Sequence, residues 1–124
     1  MLEILPALTF APYAALMAKA GLDDSHAVVL EALQRGQVLG ACLFAVDGET
    51  AVIHSVDCGD DDSLYDGLVR AALNMALSRG AVRASFALAD RSVCRRLGFV
   101  RDDSGAAIDD IASFLTKCKK CANP

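Results

Sequence analysis

The segment from Glu49 to Phe99 constrains the fold more than any other part of the chain. It predicts a strand over Ala51 to Cys58, an acidic loop, a helix over Ser63 to Ser78 and a second strand over Val82 to Ala89. A strand, a helix and a strand of this length form a right-handed crossover between parallel strands. The segment therefore predicts a parallel strand pair covered by one helix.

The helix in this segment has the clearest pattern in the chain. Its apolar residues recur at helical spacing, beginning with Leu64 and Leu68, which is typical of a helix with one buried face. Asp62 or Ser63 is suited to be the N-cap, because either side chain can accept a bond from a first-turn amide. Arg79-Gly80 predicts the end of the helix, since glycine readily adopts the conformation that closes one.

Three strands are predicted before this helix. Ala27 to Leu33, Val38 to Val46 and Ala51 to Cys58 are largely apolar, and Asp47-Gly48 between the last two is a strong hairpin signal. The spacing predicts that the three strands form an antiparallel meander.

The register of the last of these strands is open, because both of its alternating sets are partly apolar. A strand with one buried face buries one such set. One candidate set is Val52, His54 and Val56, and the other is Ala51, Ile53 and Ser55.

The ends of the chain carry weaker patterns. Leu2 to Phe10 predicts an edge strand, because Pro6 lacks the amide that a central strand needs. Ala11 to Ala20, closed by Gly21, predicts a helix. Two more helices are predicted towards the C-terminus, a short one from Asp90 or Ser92 to Arg96, ended by Gly98, and a longer one over Ile108 to Cys118.

Together these elements predict a single domain over residues 1–124 with an α+β fold. The predicted order is β-α-β-β-β-α-β-α, giving a mixed sheet with flanking helices. Residues 108–124 are expected to form the C-terminal helix and its tail.

Composition and charge exclude several kinds of partner. The net charge is −4 and the basic residues form no cluster longer than the Lys117 to Lys120 stretch, so we expect no nucleic-acid binding. The apolar start, Met1 to Leu22, is interrupted by two prolines and two charges, which excludes a membrane span. Five cysteines without a disulfide-like spacing indicate a reduced, cytoplasmic protein.

In the order and spacing of its predicted helices and strands, the chain resembles the GNAT fold of acyl-CoA-dependent N-acetyltransferases. The resemblance covers residues 27–100 best. It rests on the Asp47-Gly48 hairpin, on the run Gly67 to Leu73 followed by Arg79-Gly80-Ala81, and on the ending Cys94 to Phe99. It implies a fold in which the cofactor binds across a splayed pair of parallel strands.

The resemblance also implies where acetyl-CoA, or another acyl-CoA, is held. The pyrophosphate would lie on the amides at the start of the long helix, where unpaired N–H groups attract anions. The corresponding cofactor-binding residues are Ser63, Leu64, Tyr65, Asp66 and Gly67.

The loop before this helix departs from the family pattern. Asp60, Ser63 and Tyr65 stand where the family has a basic residue or Gln, then Gly, then Gly or Ala. One carboxylate ~4 Å from a phosphate costs roughly 1 to 4 kcal/mol. Tyr65 is expected to add bulk where close backbone approach favours glycine. These changes predict weakened cofactor binding.

Two residues are the candidates for acid–base catalysis. The resemblance places Cys94 where the family often has a tyrosine that protonates the leaving thiolate, and a thiol can donate a proton. His54, in the strand beside the cleft, could be the base. The alternatives are a small core cysteine and a half-buried structural histidine. Asp57, at the end of the same strand, is a further candidate for the base, and its alternative is a turn residue.

No metal site is predicted. Cys118 and Cys121 have the spacing of half a zinc site, but the chain contains no second pair. The run Asp60 to Asp62 lacks the spacing of a calcium loop and is better suited to the start of a helix.

Two functions from different classes follow. The first is an acyl-CoA-dependent N-acetyltransferase acting on a small amine. The second is a GNAT-like binding or assembly module, possibly a homodimer, that does not bind CoA. Measurable affinity for acetyl-CoA would distinguish them.

Overall fold

The computed structural model describes residues 2–23, 25–87, 94, 96–99 and 107–121, with 107 and 117–121 described in their backbone alone. The strands in this part of the chain are β1 Leu2–Pro6, β2 Ala27–Gln34, β3 Gln37–Asp47, β4 Thr50–Asp57, β5 Arg83–Phe86 and β6 Ala107–Ile108. The helices are α1 Ala14–Ala20, entered by a 3-10 turn over Ala11–Tyr13, α2 Asp62–Ser78 and α3 Ile111–Cys121.

The strands form one mixed sheet in the order β1-β2-β3-β4-β5-β6. The first four are antiparallel neighbours, β4 and β5 are parallel, and β6 is antiparallel to β5. This confirms the predicted α+β fold, with its meander feeding a parallel crossover through α2. β1 lies at the edge, as the proline at its end indicates.

β6 is an addition to the predicted order, and it shifts the start of the last helix. The sequence predicts a helix from Ile108, but Ile108 pairs with Ala84 on β5 and is 6% exposed. The side chain of Asp110 accepts a bond from the amide of Ser113 at 3.1 Å. Asp110 therefore caps the helix, which begins at Ile111.

The predicted short helix before this strand is only partly covered by the described residues. Cys94 and Arg96 are helical in conformation. Its expected start at Asp90 or Ser92 lies outside the described residues.

β4 contains a β-bulge at His54. Ile53 and Ser55 pair with consecutive residues of β3, so His54 between them has no partner on that strand. Before the bulge, Ala51 and Ile53 are fully buried beneath α2, whereas after it Val56 packs against the same core. The inserted residue reverses the alternation. The buried set therefore changes from one of the two candidate sets to the other within the strand.

The two faces of the sheet carry different cores. α2 covers one face and packs Leu68, Val69 and Leu73, all fully buried, against it. α1 covers part of the other face through Met17. At Gly40 an added Cβ would lie 2.6 Å from the carbonyl oxygen of Asp57, so glycine allows β3, the end of β4 and α2 to approach closely.

Candidate active site

The described pairing between the two parallel strands ends before the C-terminal end of β4. Their pairing ends where Ile53 lies opposite Phe86, and the amide of Ala87 donates to the carbonyl of Ile53 at 2.8 Å. β4 continues to Asp57, and within the described residues nothing pairs with this last part on the β5 side. Among the described residues, the backbone groups along this edge therefore have no partner on that side.

His54 lies at the start of this unpaired part of β4. It is the bulged residue and is half-buried. Burial lowers its pKa below the usual 6.5, because the charged form loses solvation. The imidazole is therefore neutral near pH 7 and able to accept a proton.

The N-terminus of α2 faces the same end of the sheet. The helix begins one residue earlier than the sequence predicts. The N-cap is Asp61, not Asp62 or Ser63, and its side chain accepts from the amide of Leu64 at 3.1 Å. The amides of Asp62 and Ser63 have no acceptor among the described residues. Two first-turn donors are thus left for an anion.

A cation lies at this helix terminus that the loop sequence does not supply. The guanidinium of Arg96 binds the carboxylate of Asp62 through two nitrogens, with Nη2 to Oδ1 at 2.8 Å and Nε to Oδ2 at 3.2 Å. Both side chains are about half exposed. Because Arg96 neutralises Asp62, the acidic loop carries less net negative charge than its sequence indicates.

Tyr65 does not lie where the sequence predicts an obstruction. Its side chain is 6% exposed and its ring packs against Phe99, with ring centroids 6.4 Å apart. Its hydroxyl lies 2.7 Å from Sγ of Cys94. The bulk of Tyr65 is therefore directed into the core, so the expected clash over the first turn does not occur.

The Tyr65–Cys94 pair is buried, and its phenol holds its proton. Cys94 is fully buried. Burial, and then the bond to Cys94, raise the pKa of Tyr65 well above its usual value, so the phenol is neutral at all physiological pH values. The two groups share one hydrogen bond, in which either can be the donor.

The thiols of Cys42 and Cys58 are protonated at neutral pH. Burial raises the pKa of Cys42 to about 12. Burial, and then the neighbouring carboxylates beginning with Asp57, raise the pKa of Cys58. A nucleophilic cysteine needs a thiolate, so neither of these two residues is suited to that role.

The predicted cofactor-binding residues are split between the surface and the core. Ser63 is exposed, and Leu64 and Tyr65 are buried. Asp66 accepts from Nε of Arg70 at 2.9 Å. Gly67 packs close to β1, because a Cβ there would lie 3.7 Å from the side chain of Ile4.

A polar group on the opposite face of the sheet was missed by the sequence analysis. The hydroxyl of Tyr13 donates to the carboxylate of Glu31. Glu31 and Asp57 both pair with Ala41 of β3, so they share a face, two strands apart. Burial first, then Glu31 and Asp57, raise the pKa of Tyr13 to about 12. No described cation pairs with either carboxylate.

The described residues contain no candidate metal site and no candidate membrane-spanning helix. No group of three or more His, Cys, Asp or Glu side chains in them is placed to hold a metal ion. No helix in the described part of the chain has the length and apolar character needed to cross a membrane. The paired cysteines at 118 and 121 fall in α3, where only the backbone is described.

Comparison with known proteins identifies the architecture. No family model and no curated protein matches the chain. Among solved structures, it is similar to the ribosomal-protein-S18-alanine N-acetyltransferase of Escherichia coli, with a TM-score of 0.62 and 14% identity over 79% of this chain and 77% of that one. It is also similar to the IAA acetyltransferase of Bacillus cereus, with a TM-score of 0.62 and 17% identity over 78% and 72%.

A third similar structure carries the cofactor. A GNAT family acetyltransferase of Elizabethkingia anophelis, with acetyl-CoA bound, has a TM-score of 0.59 and 14% identity over 79% of this chain and 72% of that one. At these identities the similarity reports the fold rather than the substrate. With its mixed sheet and the parallel crossover from β4 through α2 to β5, the chain has the fold of the GNAT N-acetyltransferases.

Proposed function

We propose that this protein is an acyl-CoA-dependent N-acyltransferase that acts on a small amine. The observation that carries the proposal is the last part of β4, beyond Ile53, which pairs with no described residue on the β5 side and lies beside the N-terminus of α2. This arrangement offers backbone groups to an extended ligand and amide donors to its anionic end.

The residues at the helix terminus fit a pyrophosphate better than their sequence suggests. The amides of Asp62 and Ser63 would donate to it, and Arg96 would supply the positive charge. Arginine suits this role because its planar guanidinium can bind two phosphate oxygens at once. The side chain of Tyr65 leaves the first turn accessible, since its ring is in the core.

Acyl-CoA would supply an activated thioester, and the chain would supply proton transfer. His54 would take the proton of the attacking amine, because burial keeps its imidazole neutral. Cys94, with the phenol of Tyr65 on its sulfur, would supply a proton to the leaving thiolate. These are the two catalytic residues that the sequence predicts, with Tyr65 as an additional positioning residue.

The acceptor would be a cationic amine. Glu31 and Asp57 present carboxylates on the sheet face beneath the 3-10 turn, and no described cation neutralises them. Asp57 is also the last residue of β4. An ammonium group held there would need to lose a proton before it attacks, which is the task assigned to His54.

The direct test is calorimetric titration of the protein with acetyl-CoA, CoA and pantetheine at low and moderate salt. We expect micromolar binding of the two CoA compounds that weakens with salt, and weaker binding of pantetheine, which lacks the phosphates. No heat and no thermal shift with acetyl-CoA at millimolar concentration would overturn the proposal. Transfer to amines is best followed by chromatography of released CoA, because the chain's own thiols react with thiol reagents.

The pH dependence of transfer provides a second check. A base with a pKa below 6.5 is neutral above that value, so the rate is expected to fall only on the acid side, with a midpoint below pH 6.5. His54→Gln is expected to lower kcat by about 10²- to 10⁴-fold and to remove this acid limb.

His26, the other histidine of the chain, is exposed and bound to Asp23. His26→Gln should leave the profile unchanged, and equal effects of the two variants would exclude His54 as the base.

A further inference from the structure

Among the described glycines, Gly40 is the one that is required for space rather than for backbone conformation. Six others have φ angles between 61° and 98°, and an added Cβ on any of them would meet nothing within 4 Å. Gly67 has room for a Cβ at ordinary contact distance. Gly40 lies inside β3, where a glycine weakens the strand and often marks the close approach of another part of the chain.

Three groups from two other elements meet at this position. An added Cβ on Gly40 would lie 2.6 Å from the carbonyl oxygen of Asp57, 3.1 Å from Cδ2 of Leu64 and 3.3 Å from Cδ1 of Leu68. The end of β4 and the first turns of α2 therefore lie on the same side of β3, directly against it. A leucine side chain can yield by a few tenths of an ångström, but a backbone carbonyl can yield only if the chain itself moves.

The connection between these two elements is short and internally bonded. Only residues 58–61 separate the end of β4 from the start of α2. The amide of Asp61 donates to the carbonyl of Cys58 at 3.3 Å, and its side chain caps the helix through the amide of Leu64 at 3.1 Å. A displacement of the Asp57 carbonyl is therefore passed on to the first turn of α2, whose amides face the anion site.

We propose that Gly40 is a positioning residue of the cofactor site, acting through the carbonyl of Asp57 and the first turn of α2. The inference rests on the proposed function, in which one ligand contacts the last part of β4 and the N-terminus of α2 together. Binding sites of this kind need their groups held within about 0.5 Å. With alanine at position 40, the distance to the carbonyl would have to open from 2.6 Å to the 3.4 Å of ordinary contact, which exceeds that tolerance.

The test is calorimetric titration of the wild type and of Gly40→Ala with CoA, reading Kd and stoichiometry separately. We expect Kd to rise by about tenfold or more while the stoichiometry stays near one, because the variant is folded but its site is displaced. Pantetheine lacks the phosphates that the helix terminus would hold, so its Kd should change by less than about twofold.

A second variant separates displacement of the site from loss of stability. Ala76 is fully buried in the last turn of α2, so Ala76→Val overpacks the same core at the far end of the helix. It should lower the midpoint of urea denaturation and leave the Kd for CoA unchanged.

A volume-conserving pair keeps the test decisive if Gly40→Ala does not fold. Gly40→Ala combined with Leu68→Val adds one carbon to the core and removes another, a change that cores tolerate well, while the contact with the Asp57 carbonyl remains. Its Kd for CoA should exceed that of Leu68→Val alone by about tenfold.

The outcomes distinguish this inference from the proposed function. If the wild type binds CoA and Gly40→Ala binds it equally well, or if the paired variant matches Leu68→Val, the inference is overturned alone. A fall in stoichiometry at constant Kd would also overturn it, because it would show that the glycine serves folding only. A wild type that does not bind CoA would overturn the proposed function and this inference together.

Discussion

Replacing Phe99 by alanine is expected to lower the free energy of unfolding by about 3–5 kcal/mol, the cost of removing a buried aromatic ring. Phe99 is 2% exposed and its ring contacts those of Tyr65, Phe86 and Phe114 at centroid distances of 6.4, 6.1 and 5.5 Å. The guanidinium of Arg70 also lies 5.3 Å from its centroid. The truncation would therefore leave a cavity between α2, β5 and α3 and remove a cation–π contact.

Urea denaturation followed by far-ultraviolet circular dichroism measures this loss, since the chain contains no tryptophan. Phe99→Leu should cost less than the alanine variant because it retains most of the apolar volume. Val38→Ala, at a position that is 47% exposed, should change stability by less than about 1 kcal/mol. A loss of under 1 kcal/mol for Phe99→Ala would show that the ring cluster does not hold these three elements together.

The importance of Phe99 was only partly visible in the sequence. The ending Leu97-Gly98-Phe99 supported the fold by its position after the crossover, but nothing in the pattern indicated an aromatic cluster. Phe86 and Phe114 are separated from Phe99 by 13 and 15 positions along the chain. Helical and strand periodicity predict which face of one element is buried, but not which elements meet.

The bulge in β4 explains why the register of that strand could not be predicted. A regular strand would bury one alternating set throughout. Here Ala51 and Ile53 are buried before His54, and Val56 packs against the same core after it. The apolar residues therefore change phase within eight residues. Such a change of phase is itself the sequence signal of an inserted residue.

The contacts that shape the candidate site are of a kind that sequence reasoning misses. Arg96 reaches Asp62 across 34 positions and Tyr13 reaches Glu31 across 18. In neither pair are the two residues close enough in sequence for their contact to be predicted. The acidic loop was correctly identified as the start of α2, yet its net charge at the surface depends on an arginine from another element.

Reversing the charge of Arg96 is expected to weaken CoA binding strongly, whereas neutralising Asp62 should strengthen it. A unit charge ~4 Å from a phosphate is worth about 1 kcal/mol at the dielectric of water and more where water is excluded. Arg96→Glu changes two units of charge, so its Kd for CoA should rise at least tenfold. Asp62→Asn removes one unit of repulsion, so its Kd should fall about fivefold. Calorimetric titration with CoA measures both shifts.

Two controls separate a direct effect on the phosphates from a general effect of net charge. Arg79→Glu makes the same change in charge at the opposite end of α2, where Arg79 is the C-cap, and should leave CoA affinity nearly unchanged. Pantetheine lacks the phosphates, so its affinity should be the same in all three variants. If Arg96→Glu and Arg79→Glu weaken CoA binding equally, the long-range field of the protein, rather than Arg96 at the helix terminus, governs binding. If Asp62→Asn instead weakens binding, the carboxylate acts by holding Arg96 in place, because an ion pair fixes a side chain as well as neutralising it.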